Sequence, residues 1–193
     1  MRLVLILAAL LGAAPGAHAA TVAGQLVDGR LELRFRAAPG ERNELGMVPH
    51  ESGVRFAGSA SLVPGPHCRA VREGDVRCGP TPPGGLAVHA RTGDRDDFVF
   101  ARVAGIAIET LRLGRGNDQA RGNGYMAGDQ GKDDQLAGGF GPDAIFAGPG
   151  NDRIRATDPK GDVIRCGPGR DVAYVSRRDR TTGCERIVLG WPS

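Results

Sequence analysis

Aromatic side chains are scarce, at 5 % of the 193 residues. With one Trp, two Tyr and six Phe, a conventional core of large rings is hard to build. Stability has to come from regular backbone pairing, cross-links, bound ions or all three. Lysine is nearly missing: Lys132 and Lys160 are the only two, and the other basic side chains are arginine. No stretch of the mature chain carries the apolar period of an amphipathic helix. Catalytic signatures are lacking too. His50-Glu51 has no second histidine to complete H-E-x-x-H, no G-x-S-x-G elbow or Walker loop occurs, and His50, His67 and His89 stand alone. The chain is expected not to be an enzyme. Without a C-x-x-C, a zinc ribbon has no support.

Long apolar runs are missing except at the start. Leu3 to Leu11 follows Arg2 and precedes small residues ending in Ala17-His18-Ala19. That is the layout of a secretory signal peptide, residues 1–19, cleaved after Ala19. The run is too short to span a bilayer, so no transmembrane segment is expected and the mature protein should be secreted, extracellular and soluble. Losing Arg2 takes the formal charge from +3 to +2, too little to argue for nucleic acid. Four cysteines remain. An even number in an exported chain favours disulfides, and four allow three pairings. Cys68 with Cys78 and Cys166 with Cys184 close the shortest loops and are the expected bonds.

What is present in excess is glycine and proline. Gly 31 and Pro 13 make about a fifth of the chain. From Thr21 to about Ala60, runs such as RLELRFRA alternate apolar and polar residues, the period of a half-buried strand. Residues 64–85 are rich in Pro and Gly, and strand-like runs resume at Leu86. The expected organisation is a region of short strands with one disulfide over 20–90, then a repeat region with a disulfide-pinned C-terminal cap over 91–193.

That second region repeats a nine-residue phrase. LGRGNDQAR, GGFGPDAIF, AGPGNDRIR and CGPGRDVAY are the good copies, beginning at Leu113, Gly138, Ala147 and Cys166; DQGKDDQLA and TDPKGDVIR are weaker. The anchor aspartates are Asp118, Asp134, Asp143, Asp152, Asp162 and Asp171, separated by 16, 9, 9, 10 and 9 residues. GNGYMAG, after Arg121, looks like a copy that has lost its aspartate. Glycine at the second and fourth places permits tight turns at positive φ. The aspartate adds a carboxylate on the concave side, and the aliphatic residue two places later begins an inward-facing strand.

These nonapeptides resemble the haemolysin-type (RTX) calcium-binding repeat, Gly-Gly-x-Gly-x-Asp-x-U-x. The resemblance covers residues 113–174, and its layout is similar to that of exported members without a catalytic domain. It implies an all-β fold: a right-handed parallel β-roll or β-solenoid preceded by short strands. It also implies Ca²⁺ as the bound cofactor. The ligand positions carried over are Asp118, Asp134, Asp143, Asp152, Asp162 and Asp171, with Gly138, Gly139, Gly141, Gly148, Gly150, Gly167 and Gly169. In such a roll two nonapeptides make one coil of about 18 residues, and coils stack at roughly 4.8 Å. An ion is then shared by copies two apart. Asp134, Asp152 and Asp171 fall on one side; Asp143 and Asp162 fall on the other. Asp152/Asp171 is the expected best pair, because AGPGND and CGPGRD keep glycine at both inner places, whereas TDPKGD, the partner of the Asp143 turn, has Asp158 and Lys160 there and the Asp134 turn has Gln130 and Lys132.

Charge argues for modest affinity. Residues 113–176 hold nine acids and eight bases, so arginines already offset much of the repulsion a metal would relieve. Asp129, Asp133 and Asp97 read as turn residues, with Asp97 the best extra ligand of the three. RRDR at Arg177–Arg180 reads as a solvated edge or cap. The alternative from another class is a disulfide-stapled structural or adhesion solenoid at the cell surface that needs no metal.

Overall fold

The computed structural model describes residues 19–58, 61–101, 107–132 and 134–190. The expected signal peptide, apart from Ala19, lies outside the described residues, as do Asp133 and Trp191. The described chain contains strands and turns and no helix.

The N-terminal strands are β1 (Ala20–Val27), β2 (Arg30–Arg36), β3 (Glu44–His50), β4 (Gly53–Gly58), β5 (Leu62–Pro64), β6 (Cys68–Arg72) and β7 (Asp75–Cys78). Next come β8 (Leu86–Gly93), β9 (Phe98–Ala101), β10 (Ala107–Arg115), β11 (Gln119–Gly122), β12 (Gly124–Gln130) and β13 (Asp134–Gly138). The last six are β14 (Ala144–Phe146), β15 (Arg153–Ala156), β16 (Val163–Arg165), β17 (Val172–Val175), β18 (Arg180–Thr182) and β19 (Arg186–Leu189).

They form two large sheets. The first has nine strands in the order β18-β16-β14-β12-β10-β8-β2-β1-β5, and the second has ten in the order β19-β17-β15-β13-β11-β9-β3-β4-β7-β6. From β8 onward successive strands alternate between the sheets, and from β10 onward each pairs in parallel with the strand two before it. Strands β2 and β3 join the same parallel runs. Antiparallel pairs β1–β2, β3–β4, β4–β7 and β6–β7 occupy the N-terminal end.

Inward-facing residues of both sheets meet in one core. In β2 the alternation of LELRF is realised: Leu31, Leu33 and Phe35 are buried. The aliphatic place of each repeat stacks on its equivalent in the next strand of the same sheet. Leu136, Ile154 and Ala173 are successive neighbours in β13, β15 and β17, and Ile145 faces Ile164 in the first sheet. Ala120, which looks a poor occupant of that place by size, is buried between Val99 and Leu136. The narrow space between the sheets accepts methyl groups where larger neighbours lie on either side.

Both expected disulfides are present. Cys68–Cys78 ties directly opposed residues of β6 and β7. Cys166–Cys184 links the buried turn after β16 to the segment between β18 and β19. This second bond holds the last strands, β18 and β19, which are sheet edges among the described residues. Replacing Cys166 and Cys184 together by alanine is expected to cost about 2–4 kcal/mol in urea unfolding; an unchanged midpoint would show that the end strands hold without it.

Candidate functional site: buried aspartates between successive turns

The turns leading into β9, β11, β14, β15, β16 and β17 each place one aspartate beneath the protein surface, two residues before the inward aliphatic one. In the second sheet these acids bond to the backbone of the turn before them. The peptide N–H of Asn43 donates to Asp97 Oδ1 at 2.7 Å, that of Asp97 to Asp118 Oδ1 at 2.8 Å, and that of Asp152 to Asp171 Oδ1 at 2.9 Å. Asp171 N–H donates to Glu185 Oε2 at 2.7 Å. The first sheet repeats the arrangement. Gly124 N–H donates to Asp143 at 2.6 Å, Asp143 N–H to Asp162 at 2.8 Å, and Asp162 N–H to Asp179 at 3.0 Å. A peptide N–H donating to a carboxylate is a charge-assisted hydrogen bond, stronger than a neutral one.

Glycines allow the turns to approach this closely. A Cβ on Gly150 would fall inside the carbonyl oxygen of Gly131, and one on Gly169 inside that of Gly150. Gly148 and Gly167 meet the carbonyls of Asp129 and Gly148 in the same way. The fourth-place N–H groups continue the stacking: Gly131 donates to Pro149 O and Gly150 to Pro168 O. Asparagine at the fifth place also bonds between turns. Asn117 Oδ1 accepts Lys132 N–H at 3.0 Å, and Asn151 Oδ1 accepts Arg170 N–H at 2.9 Å. The first-place residues Leu113, Ala147 and Cys166 point into the core, which explains why an apolar residue stands where the repeat pattern has glycine.

Asp118, Asp143, Asp152, Asp162 and Asp171 are all buried. Asp143 and Asp152 belong to different sheets, with Asp143 stacked on Asp162 and Asp152 on Asp171, as the copy-skipping rule requires. Gly138 lies against the Asp143 carboxylate and Gly139 against Asn123; Gly141 takes φ +110°. Asp134 corrects the sequence register. It pairs with Arg153, one residue beyond Asp152, and a bulge before Leu136 absorbs the extra residue. The anchor place therefore does not fall on Asp134, whose side chain lies outside the described residues. The same shift puts Asp129 and Gly131, in place of Gln130 and Lys132, in the two glycine columns. Asp158 is not simply a defect in the turn it occupies, since its carboxylate accepts Gly141 N–H at 3.0 Å.

Asp97, expected as a turn residue and the best extra ligand of three, is a full participant, and TGDRDDFVF is a further copy that the sequence reading missed, with Gly93 beneath Gly114. Its signal was Gly-x-x-x-Asp followed by an aliphatic residue two places on. Asp179 lies inside RRDR and closes the first-sheet series 17 residues after Asp162. Glu185 closes the second after a spacing of only 14. In GNGYMAG the anchor place falls on Gly124, whose N–H donates to Asp143, and Asn123 one place earlier bonds the following turn as Asn117 and Asn151 do, through both the N–H and the carbonyl of Phe140.

Burying these acids is costly. Loss of hydration pushes Asp118 up to about 7 and Asp162 up to about 6; neighbouring carboxylates add to the effect and backbone N–H donors oppose it. Asp97, Asp143 and Asp171 shift in the same direction, again mainly through burial. Asp162 Oδ2 and Asp171 Oδ2 are buried without a hydrogen-bond partner. Such oxygens suit a hard cation, for which calcium uses six to eight oxygen ligands. Among the described residues no three His, Cys, Asp or Glu side chains group around one possible metal position. An ion held here would draw most of its ligands from turn carbonyls, each of which has two lone pairs.

No protein-family profile, curated protein or solved structure matches the chain.

Two outcomes follow from this geometry. Gly150→Ala should destabilise the chain by about 1–3 kcal/mol or more through the carbonyl clash, whereas Gly46→Ala, with only an ordinary contact to Ala57 O, should change it by about 0.5 kcal/mol or less; equal effects in urea unfolding would refute the stacking role. The raised carboxyls make the folded chain bind more protons than the unfolded one. Their stabilising effect is complete below about pH 4 and is lost as pH rises through about 6 to 7. In chelator, melting temperature should therefore be lower at pH 7.5 than at pH 5, and Asp118→Asn should flatten the slope. Stability that rises over this window would contradict the assignment.

Proposed function

We propose that the chain is a secreted, non-catalytic calcium-binding module. The ion stabilises a right-handed parallel β-roll built from haemolysin-type repeats, at the Asp152/Asp171 and Asp143/Asp162 turns. The observation that carries this reading is the stack of buried carboxylates on both sheets, in which Asp162 Oδ2 and Asp171 Oδ2 accept no hydrogen bond. Oxygen-only donors favour calcium over zinc, which takes nitrogen and sulfur ligands readily. Two disulfides fit an oxidising compartment, where millimolar calcium can fill a site of modest affinity. The role of the ion is mechanical: it neutralises charges that otherwise resist burial.

A second reading has its own support. Each series already uses one carboxylate oxygen as a backbone acceptor, so the same turns suit a disulfide-stapled structural or adhesion solenoid that needs no metal. Asparagine substitutions separate the two, because an amide oxygen keeps the hydrogen bond and removes the charge. On the calcium reading, ion at ten times its Kd stabilises the mature chain by about 1.4 kcal/mol, a rise of about 3–6 °C in melting temperature. Asp162→Asn and Asp171→Asn should each reduce that rise without lowering the melting temperature in chelator. An identical melt in calcium and chelator would leave the metal-free reading.

A further inference from the structure

We infer that the outer face of the second sheet carries a binding site for an acidic sugar, a uronate residue of an extended polysaccharide. Phe100, Arg121, Ala137, Arg155 and Tyr174 lie side by side across β9, β11, β13, β15 and β17. The small Ala137 between two arginines leaves a hollow of about 440 Å³, lined by Phe98, Phe100, Arg121, Gln135 and Arg155 among others. That volume suits a small ligand.

The lining has a consistent chemistry. Phe98 is 46 % exposed, an apolar ring facing outward beside polar neighbours. Arg121 is exposed and makes no ion pair among the described residues. Gln135, at the bulge in β13, holds φ +71°. A non-glycine residue there is strained, and such strain gathers at binding sites. The bulge re-aims this side chain toward the hollow.

Two guanidinium groups about two strand spacings apart, or roughly 10 Å, suit a carboxylate and its neighbouring hydroxyls. Phenylalanine rings suit the apolar face of a pyranose ring. A simple inorganic anion would use the arginines but not the rings. The outward positions of β3, β9, β11, β15, β17 and β19 carry one acid, Glu44, against Arg121, Arg153, Arg155 and Arg186, and in β13 Asp134 stands in register with Arg153. The whole-chain charge of +3 is small for nucleic acid, whose binding rests on many phosphate contacts. The site does not depend on whether the turns hold calcium.

Calorimetric titration of the full mature chain with tetragalacturonate tests the site. Cellotetraose serves as the neutral comparison and an oligothymidylate of equal charge as the nucleic-acid comparison. Binding of the uronate alone is expected. It should weaken about tenfold or more in Arg121→Gln, Phe98→Ala and Ala137→Leu, the last filling the hollow, with Arg36→Gln on the other sheet unaffected. Arg121→Gln alters an exposed side chain and should melt as the parent does. No binding at millimolar tetragalacturonate, equal binding of either comparison ligand, or indifference to Arg121→Gln would overturn the proposal.

Discussion

The hydrogen bond from a backbone N–H to the carboxylate in the following turn of the same sheet is the contact on which the rest of the arrangement depends. It fixes the distance between turns, and that distance dictates the surrounding residues. Aspartate has the reach to accept the N–H of the preceding turn while its own backbone remains in the stack. Where the final spacing shortens to 14 residues, the acceptor is Glu185, with one more methylene. Close stacking also leaves no volume for a Cβ at Gly150 or Gly169. Glycine and aspartate therefore recur together for one mechanical reason, prior to any role for metal.

The same contact creates an electrostatic tension. One oxygen of each carboxylate is occupied by an N–H, while Asp162 and Asp171 each bury a second with no donor. Protonation relieves this at low pH; a cation would relieve it at neutral pH. Hydrogen bonding between turns supplies part of the compensation, yet it does not remove the desolvation that raises Asp118 and Asp162. The metal-bound and metal-free readings thus differ in how the second oxygen is satisfied, and share everything else.

Much of this was legible in the sequence because period and residue type are tied to the backbone. Alternation in LELRF identified the strand and its inward face. Counting copies two apart separated Asp143 from Asp152 and stacked Asp152 on Asp171. The shortest-loop argument for the cysteines agrees with both bonds in the structure. What was not legible depends on small departures from that period. A one-residue bulge at Gln135 displaces the anchor from Asp134, and no propensity marks it. Asp179 and Glu185 fall outside the nine-residue spacing, so spacing alone passes over them. Asp158 occupies a glycine place and still bonds a neighbouring turn, since a side chain can supply an acceptor where the backbone has been altered.

The two sides of the sheets divide the work between them. Inward, repeated small and aliphatic residues leave little freedom. Outward, the row from Phe100 to Tyr174 varies in size and charge, so a scaffold held together by its turns can present a ligand surface without disturbing its core. The most direct measurement of the central claim is the anomalous scattering of a crystal grown in calcium. The account predicts calcium peaks beside Asp162 and Asp171, in contact with their Oδ2 atoms. Water alone at both carboxylates in a calcium-saturated crystal would contradict it.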